Sequence, residues 1–203
     1  DFPDAYFNRG LSYRDLEEHQ KAVDDFTEAI TLDPGHAYAY NNRGFSFGRL
    51  EEYQKSVDDF TEAIRLDPED ADAYYGRGIS YRYLEEYQKA IDDYTEAIRL
   101  APQTSDAYYH RGNAYLMMGL PQRAIEEYDE ALTLNPESAE VFNARGKAYS
   151  SLGSHRRGVQ DYDRAILVNP SFAEAFENRG RAYHILGEPH RAIQDFEQAI
   201  WYN

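Results

Sequence analysis

Asn41–Pro68 reads NNRGFSFGRLEEYQKSVDDFTEAIRLDP, and Tyr75–Pro102 reads YGRGISYRYLEEYQKAIDDYTEAIRLAP, the same phrase 34 residues later. The first half of the phrase places Tyr40, Phe47 and Leu50 at helical spacing from about Ala37 to Leu50. The second half, about Tyr53 to Leu66, places Val57, Phe60, Ala63 and Ile64 on one helical face. The Asp-Pro that follows cannot continue a helix and turns the chain. One phrase therefore predicts two helices and a stop.

The period runs through the chain. Gly10, Gly44, Gly78, Gly112, Gly146 and Gly180 are 34 apart, as are Pro34, Pro68, Pro102, Pro136 and Pro170. Small residues recur at Ala29, Ala63, Ala97, Ala131, Ala165 and Ala199, and again at Ala22, Ser56, Ala90, Ala124, Gly158 and Ala192. Rings recur at Tyr6, Tyr40, Tyr74, Tyr108, Phe142 and Phe176. Two further series begin at Tyr13 and Phe26. Rings set against small residues at fixed spacing form a packing code, and each buried ring contributes about 2–3 kcal/mol.

A 34-residue helical pair with aromatic, Gly, aromatic, Ala, aromatic, Ala and Pro in this order resembles the tetratricopeptide repeat. The resemblance covers six units, at about 3–36, 37–70, 71–104, 105–138, 139–172 and 173–203. It implies an all-α fold of about twelve antiparallel helices, stacked as one right-handed α-α superhelix over 1–203 without linkers. One slot departs from the family. The residue before each glycine is usually Leu or similar there, whereas here it is Arg9, Arg43, Arg77, Arg111, Arg145 and Arg179. The second helices offer a matching acid series: Asp25, Asp59, Asp93, Glu127, Asp161 and Asp195. A planar guanidinium can take a carboxylate with two hydrogen bonds, so structural Arg–acid pairs are expected, within or between repeats.

In the family, the first helices line a concave groove. The positions facing it vary here, while the core repeats. They nominate Phe7, Asn8, Asn42, Phe45, Arg49, Tyr75, Arg82, Tyr83, Tyr109, His110, Asn113, Asn143, Lys147, Asn178 and Arg181 as peptide-binding residues. Rings would anchor apolar side chains, asparagines would meet peptide backbone, and Arg49 and Arg82 would supply charge. Over these slots, bases Arg14, Arg49, Arg82, Lys147 and Arg181 outnumber acids Asp15 and Glu177. The expected partner is an extended or short helical peptide with apolar anchors and at least one acid. Acids at the first-helix starts, Asp4, Asp72, Asp106, Glu140 and Glu174, suit the helix dipole. Family members that clamp acidic chaperone tails carry Lys and Asn on successive first helices. Here Phe7, Tyr75 or Tyr109 occupies the first Lys slot, the following Asn occurs only as Asn113, and its partner slot holds Ala144. Binding of that type is not expected.

Composition narrows the rest. The 203 residues carry 21 Lys+Arg and 37 Asp+Glu, a net charge of −16, which opposes a phosphate-backbone binder. Residues 1–102 hold 23 acids and 11 bases, so most of the charge lies in the first half. There is no Cys, hence no disulfide framework or Cys-ligated zinc. No apolar run approaches the ~18 residues of a membrane span. No two histidines have the i, i+4 spacing of a zinc helix, and no Gly-rich loop follows a strand pattern. His19, His36, His155 and His190 fall near turns, where solvated imidazole is expected. A non-catalytic interaction scaffold without metal or cofactor, in the cytoplasm, is the leading expectation. The alternatives are a self-assembling scaffold and the substrate-recognition arm of a larger enzyme. The chain starts at Asp1, as a fragment would, and no polar capping helix follows the last repeat. Ile193, Phe196, Ile200, Trp201 and Tyr202 are therefore expected to form apolar surface and a possible route to homo-oligomers.

Overall fold

The computed structural model describes residues 2–203. Among them are twelve α-helices and no strand: α1 Pro3–Asp15, α2 His19–Leu32, α3 Ala37–Arg49, α4 Tyr53–Leu66, α5 Ala71–Tyr83, α6 Tyr87–Leu100, α7 Ser105–Met117, α8 Pro121–Leu134, α9 Ala139–Ser151, α10 His155–Val168, α11 Ala173–Ile185 and α12 Pro189–Tyr202. They form six helical hairpins, divided between two compact units, Asp1–Pro102 and Gln103–Asn203.

Local chemistry sets the ends. Proline opens α1, α8 and α12, where its missing N–H costs nothing. Asp70 caps α5 by accepting from the amides of Asp72 and Ala73, and Ser138 caps α9 by accepting from Val141. His36, expected to be solvated, caps α3 instead: its Nδ1 accepts from the Ala39 amide at 3.3 Å. Each first helix stops in a left-handed turn. In unit one, the turn residue is Glu17, Glu51 or Glu85, with φ of 59°, 61° and 61°; in unit two it is Gly119, Gly153 or Gly187. The flanking amides close the turn, with Glu18 donating to the Tyr13 carbonyl and Glu17 to that of Arg14.

Five of the six hairpins press a second-helix ring onto their own first-helix glycine. A Cβ at Gly10, Gly78, Gly112, Gly146 or Gly180 would lie 2.6–2.9 Å from Phe26, Tyr94, Tyr128, Tyr162 or Phe196, so only hydrogen fits. Tyr94 and Tyr128 are fully buried. Between repeats within each unit, Ala39, Ala73 and Ala175 seal the joint, each fully buried.

Within each unit the layout is asymmetric. In unit one α1 touches α3 and α3 touches α5; in unit two α7 touches α9 and α9 touches α11. No second helix touches the next second helix in either unit. Each unit therefore gathers its first helices on an inner face and splays its second helices outward.

Candidate functional site

The repeated arginines are used inside the chain. Nε and Nη2 of Arg9, Arg43, Arg77, Arg145 and Arg179 each donate to the two carboxylate oxygens of Asp25, Asp59, Asp93, Asp161 and Asp195, at 2.7–2.8 Å. Arg111 donates from both nitrogens to one oxygen of the longer Glu127, at 2.9 and 2.8 Å. All six pairs lie within one repeat. The remaining Nη1 reaches back a repeat: Arg43 to Thr27 at 3.0 Å, Arg77 to Thr61 at 3.1 Å, Arg145 to Asp129 and Arg179 to Asp163 at 2.6 Å. This second contact links neighbours, and no periodicity argument pointed to it. The acids are buried strongly enough that desolvation pushes the Asp59, Asp93 and Glu127 carboxyls above the usual range, against the pull of their arginines. The pairs therefore specify register more than they add stability.

The variable first-helix residues divide into three groups. Phe7, Tyr75 and Tyr109 are half-buried and lie against the core rings Phe26, Tyr94 and Tyr128, with centroids 5.8–6.2 Å apart. His110 packs beside Tyr109 at 5.0 Å. Most of the amides are engaged within the chain. Asn42 donates to the Tyr38 carbonyl and accepts from Arg14. Asn113 accepts from the Tyr128 hydroxyl at 2.8 Å. Asn178 donates to Asn143 at 3.0 Å, and Asn143 is only 4% exposed. Asn8 stands exposed. The excess of base shrinks as well. Arg14 pairs with Asp15, Arg181 with Glu177, and Lys147 with Glu174 of the next repeat at 3.1 Å. Burial opposes the Glu174 charge, but Lys147 and the amides of Asn143 and Asn178 outweigh it and hold that carboxyl below the usual range. Glu174 is thus part of the face and not merely a dipole partner. Arg49 and Arg82 have no carboxylate partner among the described residues. Arg82 stacks 4.3 Å over the Tyr83 ring.

Two cavities open on these faces. One, of about 300 Å³, lies in unit one between α3 and α5, beside Phe45, Arg49, Tyr53 and Tyr83. Phe45 and Tyr83 are 47% and 51% exposed, the largest exposure among the nominated rings. The other, of about 290 Å³, lies in unit two and is lined by Tyr109, Asn113, Leu116, Asn143, Lys147 and Glu174. Of the residues lining the first cavity only Phe45, Arg49 and Tyr83 were nominated from the sequence; Gly48, Ser56, Gly76 and Ser80 are among those missed. The two glycines did carry a signal: each is the single glycine of its 34-residue series. At the far end of unit two, Ile193, Ile200 and Trp201 are 55%, 78% and 81% exposed. No group of three or more His, Cys, Asp or Glu among the described residues is arranged to hold a metal ion, and no described helix is long and apolar enough to cross a membrane.

Family models for the tetratricopeptide repeat match residues 3–36, 37–70, 75–139 and 143–200. No curated protein sequence is similar enough to match. Among solved structures, a tetratricopeptide repeat protein from Parabacteroides merdae shares 20% identity with a TM-score of 0.85, over 99% of this chain and 80% of that one. PilF of Pseudomonas aeruginosa shares 21% identity with a TM-score of 0.81, over 95% and 88%. YrrB, described as a tetratricopeptide protein with an unusual peptide-binding site, shares 25% identity with a TM-score of 0.70, over 88% and 92%.

Proposed function

The chain belongs to the tetratricopeptide repeat family, and on that premise we propose that it is a non-catalytic interaction scaffold that binds a peptide segment of a protein partner on its first-helix faces. One observation carries this. In each unit the first helices touch one another and the second helices do not, so the side chains that vary between repeats collect on one inner face. A cavity opens on that face in each unit. The similarity to YrrB supports peptide as the ligand class. Arg49 and Arg82, which have no carboxylate partner among the described residues, favour a segment that contains an acid.

Selection from a displayed random-peptide library tests the function. The wild type is expected to enrich a motif, and the triple variant Phe45→Ala, Arg49→Glu, Lys147→Glu should bind the enriched peptides at least about 10-fold more weakly. Equal binding by a variant with an unchanged circular dichroism spectrum refutes it. A second reading, self-association through the last repeat, is favoured by the exposure of Ile200 and Trp201. Light scattering of wild type and Ile200→Asp/Trp201→Ser over a concentration series decides it, since a strict monomer at every concentration excludes it.

A further inference from the structure

We propose that the cavity between α3 and α5 is an anchor site for an aromatic side chain with a hydrogen-bond donor at its tip, a tyrosine or tryptophan of the bound peptide; this rests on the peptide-binding function above. Two glycines create the cavity. Where α3 has Gly48, the other repeats carry Arg14, Arg82, Leu116, Ser150 and His184. Where α5 has Gly76, they carry Asn8, Asn42, His110, Ala144 and Asn178. Gly76 also frees a ring. In the other five repeats the core ring presses on its own glycine, but Phe60 stands 3.3 Å from the Cβ position of Gly44 and 2.3 Å from that of Gly76. It has swung toward the next repeat, a position that any side chain at 76 would block. The volume, about 300 Å³, lies at the lower end of ligand pockets, about 300 Å³ and upward, and suits one large side chain.

The walls are aromatic and held in place. Tyr83 stacks on Tyr53 at 4.6 Å with 4° between the planes, and the Arg82 guanidinium sits on the same ring. A wall fixed before binding loses little freedom on contact. The floor is polar, which sets the chemistry of the tip. Ser56 and Ser80 are buried, with their oxygens 2.8 Å apart. Ser56 donates to the Gly44 carbonyl at 2.7 Å, and the Ser80 hydrogen goes to Ser56 or to the Gly76 carbonyl at 3.1 Å. Both hydroxyl hydrogens are committed, and acceptor capacity remains on the oxygens. The floor can therefore accept a hydrogen bond without losing one of its own, so a phenol or indole suits it and a phenyl ring or aliphatic chain leaves it unanswered. On the rim, Arg49 and the nearby Arg82 outnumber Glu51, which suits an acidic residue next to the anchor.

The probes are p-cresol, 3-methylindole and toluene, titrated into the 203-residue chain and followed by amide NMR shifts at Ile79 and Ser80. We expect p-cresol and 3-methylindole to bind about 5-fold or more tightly than toluene, the effect of one neutral hydrogen bond. Gly48→Leu, which installs the side chain that repeat four already holds at this slot, should abolish all three. Ser80→Ala, the residue of repeats four to six, should keep toluene and erase the preference. Toluene binding as well as p-cresol, or no shift at these amides, overturns the inference. Fragment binding does not depend on peptide binding. If fragments bind while the library enriches nothing, the proposed function fails and the pocket stands. If peptides without Tyr or Trp are enriched and fragments do not bind, the pocket assignment fails and the function stands.

Discussion

Removing the acid from an Arg–acid pair should cost very different amounts at two rungs of unit one. Asp25 and Asp93 are equally buried, 5% and 6% exposed, and each receives two hydrogen bonds from its arginine. Their partners differ. The Arg77 side chain is 17% exposed and touches Thr61 of the preceding repeat, whereas Arg9 has no described repeat before it and is 59% exposed. Asp93→Ala leaves a guanidinium that water barely reaches, at a cost of about 3 kcal/mol. Asp25→Ala leaves one that rehydrates, at a cost of about 1 kcal/mol. The lost side-chain atoms and the gain in helix propensity are the same at both sites and cancel in the comparison. Urea unfolding followed by circular dichroism measures both, and urea leaves ion pairs unscreened. Equal costs, within about 0.5 kcal/mol, refute the view that guanidinium burial sets the value of a rung. Replacing both partners, Arg77→Leu with Asp93→Leu, should recover most of the loss, because desolvation already opposes the Asp93 charge.

Two further outcomes follow from the same structure. Glu51 occupies a left-handed turn that costs a non-glycine residue about 1–2 kcal/mol, so Glu51→Gly should stabilise by about 0.5–1 kcal/mol after the entropy cost of glycine, while Gly153→Ala should destabilise by about 1 kcal/mol; thermal unfolding checks both signs. Burial pushes the Tyr162 phenol up to about 12, against the opposing Ser150 hydrogen bond. The folded state then holds this proton more tightly than the unfolded chain. Its contribution is whole below about pH 10 and is lost as pH rises through about 12, on the order of 3 kcal/mol. Tyr162→Phe should flatten the stability curve over that window. An unchanged slope refutes the assignment.

Much of the molecule was legible because its packing is local and periodic. A ring and a glycine 16 residues apart meet across one hairpin, as do Arg77 and Asp93, so a fixed spacing in the chain is a fixed contact in space. The first-helix face was legible as a set of variable positions for the same reason. Its chemistry was not. Spacing does not show that Asn113 is taken by the Tyr128 hydroxyl, that Lys147 is paired with Glu174 of the next repeat, or that Arg49 has no carboxylate partner among the described residues. Those outcomes depend on which side chains neighbouring repeats bring within bonding distance. The left-handed turns hid in the same way, because the three glutamates carry no mark of a strained backbone that the glycines at the same slot would have revealed. The amino-acid sequence alone determined the helical pairs, their number and the residues that bind each hairpin together, since these need only neighbours at constant separation. The tertiary structure decided which polar groups remain open to a partner and where a cavity forms. A glycine at 76 contributes to an opening only because the Phe60 ring of the preceding repeat swings into the space beside it and away from Gly44.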